Sequence, residues 1–200
     1  MKATVSGGSW GADFDPDRLA SLELRAWKAY YRRQALRLFG LLVMANHDQA
    51  HVSWRRALVA AFYFARGAYG FGRATSDYDR FAPDVVRGYW ALGLPPDVDA
   101  LEVARRELRW WVVRREIGVA AGDEAGKAIT ALYSAIYRLP AESVSEAGRL
   151  RGLAAEVRDR GAADDPAGPT APGAAYWPQV ARLLRDSYRS LHAALLDAKS

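Results

Sequence analysis

The sequence predicts an all-α protein. Apolar residues recur at spacings of three and four along most of the chain. No short segment alternates apolar and polar side chains. The periodic runs open on capping residues and close on Gly or Pro. The expected architecture is an array or bundle of about six or seven helices.

The elements follow in order. Residues 1–13, "MKATVSGGSWGAD", are Gly- and Ser-rich and read as a flexible N-terminal tail, leaving 14–200 as a single all-α domain. Asp15 before Pro16 is a cap followed by a first-turn proline. From there a long periodic run continues to about Asp48. Ser53 caps a second helix reaching about Tyr69, and the turn-rich "GFGRATSDYD" follows it. Pro83 opens a short helix through Trp90, which "GLPPD" breaks. A fourth helix runs from about Asp99 to Ile117, and a fifth, with Asp123 as its cap, runs to Arg138. Pro140 ends that one, and a sixth covers about Val144 to Arg160. The Pro/Gly/Ala stretch 161–175 reads as a mobile linker. Trp177 to Ala198 forms the last helix, with Val180, Leu183, Leu184, Leu191 and Leu195 on one face.

Composition bounds the function. The 200 residues are half hydrophobic, and a chain of this size buries roughly 70% of its unfolded surface. Cysteine is absent, which excludes disulfides, thiolate metal sites and cysteine nucleophiles. The first residues lack the apolar segment of a secretory signal, and no apolar run approaches the ~18 residues of a membrane span. A soluble, cytoplasmic protein with no membrane partner is expected.

Two stretches resemble each other: "ELRAWKAYYRR" at 23–33 and "ELRWWVVRRE" at 107–116. With Glu23 set on Glu107, Asp15 falls on Asp99, Leu24 on Leu108, Arg25 on Arg109 and Trp27 on Trp111. Further on, "RALVAAF" matches "KAITALY" in type. A duplicated helical hairpin is one account, and two unrelated amphipathic helices are the other.

On a helical wheel both glutamates point inward. Glu23 shares its face with Leu19, Ala20, Trp27 and Tyr30, and Glu107 shares its own with Val103, Ala104, Trp110 and Trp111. A buried carboxylate needs a partner. The leading candidates are Arg66, on an otherwise apolar helix, and Arg114; Tyr30, Tyr63 and the indoles of Trp27 and Trp111 are possible donors. Three readings follow. The glutamates form structural Glu–Arg links, or Glu23, Trp27, Tyr30, Arg66, Glu107, Trp111 and Arg114 line a small-molecule pocket. In the third, Glu23 and Glu107, with His47, hold a metal in a helical-bundle enzyme. Ferritin-like di-iron bundles also use a Glu-x-x-His on each of two further helices, and this chain has none in place.

Other motifs carry less. "HDQAH" at 47–51 has Asp where the zincin motif has Glu, and His51 falls in a turn. "SDYDRF" is a lone D-x-D, and the glycines of "GAYGFG" follow a helix rather than a strand. Arg32, Arg33, Arg37, Arg55 and Arg56 form one basic group, and Arg105, Arg106, Arg109, Arg114 and Arg115 another. They make phosphate or nucleic-acid binding a second alternative, disfavoured because acidic residues interrupt the second group and no helix-turn-helix spacing is present. The leading expectation is a binding or interaction protein for a small molecule or a protein partner. The alternative is a metal- or cofactor-dependent enzyme. The sequence names no cofactor, catalytic residue or oligomeric state.

Overall fold

The computed structural model describes residues 10–164 and 174–199. Among them are eight α-helices, two short 3-10 turns and no strand. The helices are α1 (Pro16–Tyr31), α2 (Ala35–Ala50), α3 (Trp54–Arg73), α4 (Ala82–Leu92), α5 (Ala100–Ile117), α6 (Gly122–Tyr137), α7 (Ala141–Asp164) and α8 (Trp177–Asp197). Each packs against its neighbours in the chain, and α8 packs back on α1, so the order of contacts closes on itself. The most deeply buried side chains include Leu19 of α1, Val85 of α4, Val103 and Leu108 of α5, Ile129 and Leu132 of α6, Val144 of α7 and Leu184 and Leu191 of α8.

The predicted cap at Asp15 forms, and Asp99 caps α5 in the same way. Each carboxylate accepts from two backbone amides of its helix, Asp17 and Arg18 in one case, Leu101 and Glu102 in the other. Asp123 lies in the first turn of α6 rather than at its cap.

The long run expected to continue to Asp48 is two helices. The chain turns at Arg32–Gln34, where Arg33 takes φ 56° and the Gln34 amide donates back to the Ala29 carbonyl at 2.9 Å. That six-to-one bond around a left-handed residue closes a helix C-terminus. The same device ends α6, with Arg138 at φ 56° and Leu139 bonded to Ser134. Glycine is the usual residue there, and an arginine gives no such signal. The extra break raises the helix count above the expected six or seven.

The break also bears on the choice between a duplicated hairpin and two unrelated amphipathic helices. α1 packs on α2 and α8, and α3 on α2 and α4, whereas the matched segments α5 and α6 pack directly on each other. The first matched pair therefore does not reproduce the hairpin of the second.

The edges of the domain differ from expectation too. Ala12 and Phe14 are buried, and Trp10 packs its ring against Tyr89 and Tyr137, so Trp10 and Ala12 of this stretch join the core while Asp13 stays exposed. Helix α7 takes in residues 161–164, and Ala174 is buried. The remainder of the expected tail and linker lies outside the described residues.

Glycines let α7 approach α6 closely. A Cβ on Gly148 would meet the Gly126 carbonyl oxygen at 2.7 Å, and one on Gly152 would run into Gly122 O and the Gly126 amide. Two small residues a turn apart on each helix bring the backbones together. Arg151 stands between Gly148 and Gly152 and is carried into the interior with them.

Candidate functional site

Glu23 is buried, as expected, at 8% exposure. Its partner is neither Arg66 nor Arg114 but Arg151 of α7. Arg151 donates to Glu23 Oε1 from Nε at 2.9 Å and from Nη2 at 2.7 Å, and its Nη1 donates to the Tyr133 hydroxyl at 3.1 Å. Burial alone would make Arg151 easier to deprotonate. Burial is the largest single influence, but Glu23, Tyr133, Tyr188 and Glu107 together outweigh it and hold the pKa well above the ordinary arginine value. The Tyr188 hydroxyl faces the same carboxylate, and its pKa is raised well above normal, first by burial and then by Glu23. Oε2 of Glu23 is buried and makes no well-formed hydrogen bond.

Glu107 is half-buried and has no arginine hydrogen-bonded to it. Its Oε1 accepts from the indole N–H of both Trp110 and Trp111, each at 3.0 Å, and its Oε2 accepts from the Tyr89 hydroxyl at 2.9 Å. Burial, then the nearby Glu107 charge, pushes the Tyr89 pKa well up.

Arg114 points inward but turns away from Glu107. Its Nη2 donates to both oxygens of Asp159, at 2.9 and 2.8 Å, and to the Tyr31 hydroxyl at 3.0 Å. Arg158 also donates to Asp159, at 2.7 Å, and stacks on the Tyr31 ring. The Nε atoms of Arg114 and Arg158 are buried without an acceptor. Arg114 and Arg151 each lie over the Trp110 ring, 5.8 and 5.4 Å from its centroid, and Arg114 lies over Trp27 as well. The indole of Trp110 therefore joins the two groups.

The network is balanced in charge: Glu23, Glu107 and Asp159 against Arg114, Arg151 and Arg158. It draws on α1, α4, α5, α6, α7 and α8. At its edge, Gln49 of α2 donates to the Tyr137 hydroxyl at 2.8 Å. Charges paired with one another across helices in this way fix helix register, even with Glu23 Oε2 and the Nε atoms of Arg114 and Arg158 left over.

Other expected residues lie elsewhere. Tyr30 is mostly exposed; its neighbour Tyr31 is the inward ring. Arg66 sits at the surface and forms an ion pair with Asp84 of α4. His47 stacks on Trp54 at 3.9 Å between ring centroids and bonds the Val52 carbonyl, so it does not approach the two glutamates. Among the described residues no three His, Asp or Glu side chains converge as a metal-binding group. The second basic group is largely engaged within the fold: Arg106 binds Glu102 and the Ala131 carbonyl, and Arg115 binds the carbonyls of Phe71 and Ala74.

An unexpected feature lies on α3. Its buried residues are Ala57, Ala60, Ala61, Gly67 and Phe71, and it shows Trp54, Leu58, Val59, Phe62 and Tyr69 to solvent. The usual arrangement of a surface helix is largely inverted: apart from Phe71 the buried residues are small, and large apolar ones face outward. Beside it, α2 buries only Leu41 and Ala50, and its Leu36 is 91% exposed. At the start of α3, Ser53, Arg55, Arg56 and Val59 form a shallow groove with Ala91 of α4, and Arg56 caps the end of α4 by donating to the Ala91 carbonyl at 2.7 Å. Trp90 stands exposed next to that cap.

Comparison with protein-family models, curated proteins and solved structures gives no match for this chain.

Proposed function

We propose that the protein is an interaction protein: a helical scaffold held in register by its internal Glu/Arg/Trp network and binding through the exposed face of α3. One observation carries this reading. Five large apolar side chains of α3 face solvent while its alanines face the core. Scattered apolar residues are normal on a surface, but a stripe of them on one helix marks a contact site. Trp54, Leu58 and Phe62 are four residues apart and form one ridge. The internal carboxylates favour a structural role, because each already accepts hydrogen bonds from the protein. That is why a small-molecule pocket or a metal-dependent activity at Glu23 and Glu107 is the less supported reading. A cytoplasmic setting is compatible with this reading.

The test is photo-crosslinking in cells. A benzophenone amino acid at position 62 is expected to form adducts, and the same group at position 185, on the exposed side of α8, is not. Absence of adducts from position 62 overturns the proposal.

A further inference from the structure

The α3 face lies within a strongly cationic part of the chain. Residues 24–76 contain nine Lys and Arg and one acid, Asp48, a net charge of +8 against +5 for the whole chain. The remainder is therefore net negative. Asp48 is itself paired with Arg18 at 2.5 Å. On the exposed side of α3, Arg55, Arg66 and Arg73 alternate with the apolar residues; Arg66 is neutralised by Asp84 of α4, which leaves Arg55 and Arg73, and no acidic side chain lies on α3 itself. Neither arginine forms an ion pair among the described residues; Arg73 lies over the ring of Tyr69. The occupant of this face must accept aliphatic and aromatic side chains and carry negative charge.

We infer that α3 docks flat on an anionic lipid surface, with Leu58, Val59 and Phe62 entering the acyl boundary and Arg55 and Arg73 meeting the headgroup phosphates. This inference rests on the reading of α3 as the docking face. The distribution along the helix supports it. The amphipathic rings Trp54 and Tyr69 stand nearer the ends, and the fully apolar side chains stand between them. Trp and Tyr favour the headgroup level, and Leu, Val and Phe favour the region below it. At 20 residues, α3 presents about 30 Å of such surface. Nucleic acid fits less well, since Leu36, Leu58 and Val59 give it nothing to stack on or bond to. A second copy of the chain docked through the same face would bring like charges together. No helix among the described residues is long and apolar enough to cross a membrane. The expectation of no membrane partner rested on the absence of a span, and a helix lying on the surface is a separate case.

The experiment is flotation of the full chain with vesicles of pure phosphatidylcholine and of phosphatidylcholine mixed with phosphatidylglycerol. Binding is expected to the anionic vesicles alone and to weaken with added salt. Arg55→Gln with Arg73→Gln is expected to lower it by about tenfold or more, the effect of two basic residues at such a surface. Leu58→Ser with Phe62→Ser is expected to abolish it while the melting temperature holds. A photo-crosslinker at position 62 reads lipid adducts in the otherwise intact protein, so the result does not depend on the variants folding. Equal binding to both vesicle types, binding that survives the α3 substitutions, or no binding to either overturns the inference. If vesicles are ignored while position 62 crosslinks to protein, the lipid surface is wrong and the docking face stands. If position 62 crosslinks to nothing, both are wrong.

Discussion

Trp110 and Trp111 donate to the same atom, Oε1 of Glu107, each at 3.0 Å. Neighbours on a helix point about 100° apart, yet both indoles reach back one turn, three and four residues, to a single carboxylate. The adjacent pair is thus a two-pronged clasp on Glu107, and the Tyr89 hydroxyl closes it from α4.

The first prediction follows from that clasp. Glu107→Gln keeps an oxygen for the indoles and leaves no hydrogen-bonded arginine without its acceptor. It is expected to cost about 1 kcal/mol, the net worth of weakened hydrogen bonds. Urea unfolding measures it; a loss several times larger would mean that Glu107 balances a buried cation on its own.

Glu23 is the contrasting case. Glu23→Gln leaves the Arg151 guanidinium buried without its counter-charge and is expected to cost about 3–5 kcal/mol. Replacing the pair together, Glu23→Leu with Arg151→Met, is expected to cost less than either single change. A double-mutant cycle in urea tests this, and additive losses would contradict it.

Alkaline pH supplies a third prediction. Tyr89, Tyr133, Tyr137 and Tyr188 all have hydroxyl pKa values raised above 10.0, with burial the largest cause in each. A raised folded pKa contributes stability that is complete below the unfolded value and is lost as pH climbs through the folded one. Stability is therefore expected to be insensitive to these groups below pH 10.0 and to fall above it. Four of the ten tyrosines should form tyrosinate only as the chain unfolds, seen as absorbance that lags the exposed rings and then rises with the loss of helix.

A fourth concerns the α6–α7 contact. Gly152→Ala places a Cβ against the backbone of Gly122 and Gly126, which cannot yield as a side-chain tip can. The expected cost is about 1–3 kcal/mol. Gly72→Ala is the control, since nothing lies within 4 Å of its Cβ position, and it should be neutral or slightly stabilising. Thermal melts of the two variants decide it.

The all-α class, the cap at Asp15, the start of α5 near Asp99 and the inward Glu23 are legible because each is a local property of spacing and residue type. The partner of Glu23 is not. Arg151 lies 128 residues further on, on a helix rich in small residues, and nothing local distinguishes it from the chain's many other arginines. An arginine on an apolar helix, as Arg66 is, suggests burial, but that helix turns its apolar side outward. The pattern of α3 shows which residues share a face, and only the packing of its alanines shows which face is hidden. The breaks at Arg33 and Arg138 were silent for a simpler reason, a left-handed residue that is not glycine.

The closed order of helix contacts has a topological consequence. Every helix meets its chain neighbours, α8 meets α1, and Lys199 lies beside Gly11 and Asp13. Adjacency around the ring is thus set by sequence everywhere but at one seam, and the seam is held by packing together with the Arg189–Asp17 and Lys199–Asp13 ion pairs. A circular permutant with a short linker across that seam and new ends at the Arg32–Gln34 turn would give each helix the same two neighbours. In this fold the point at which the ring is cut is a free choice, and the succession of the helices is not.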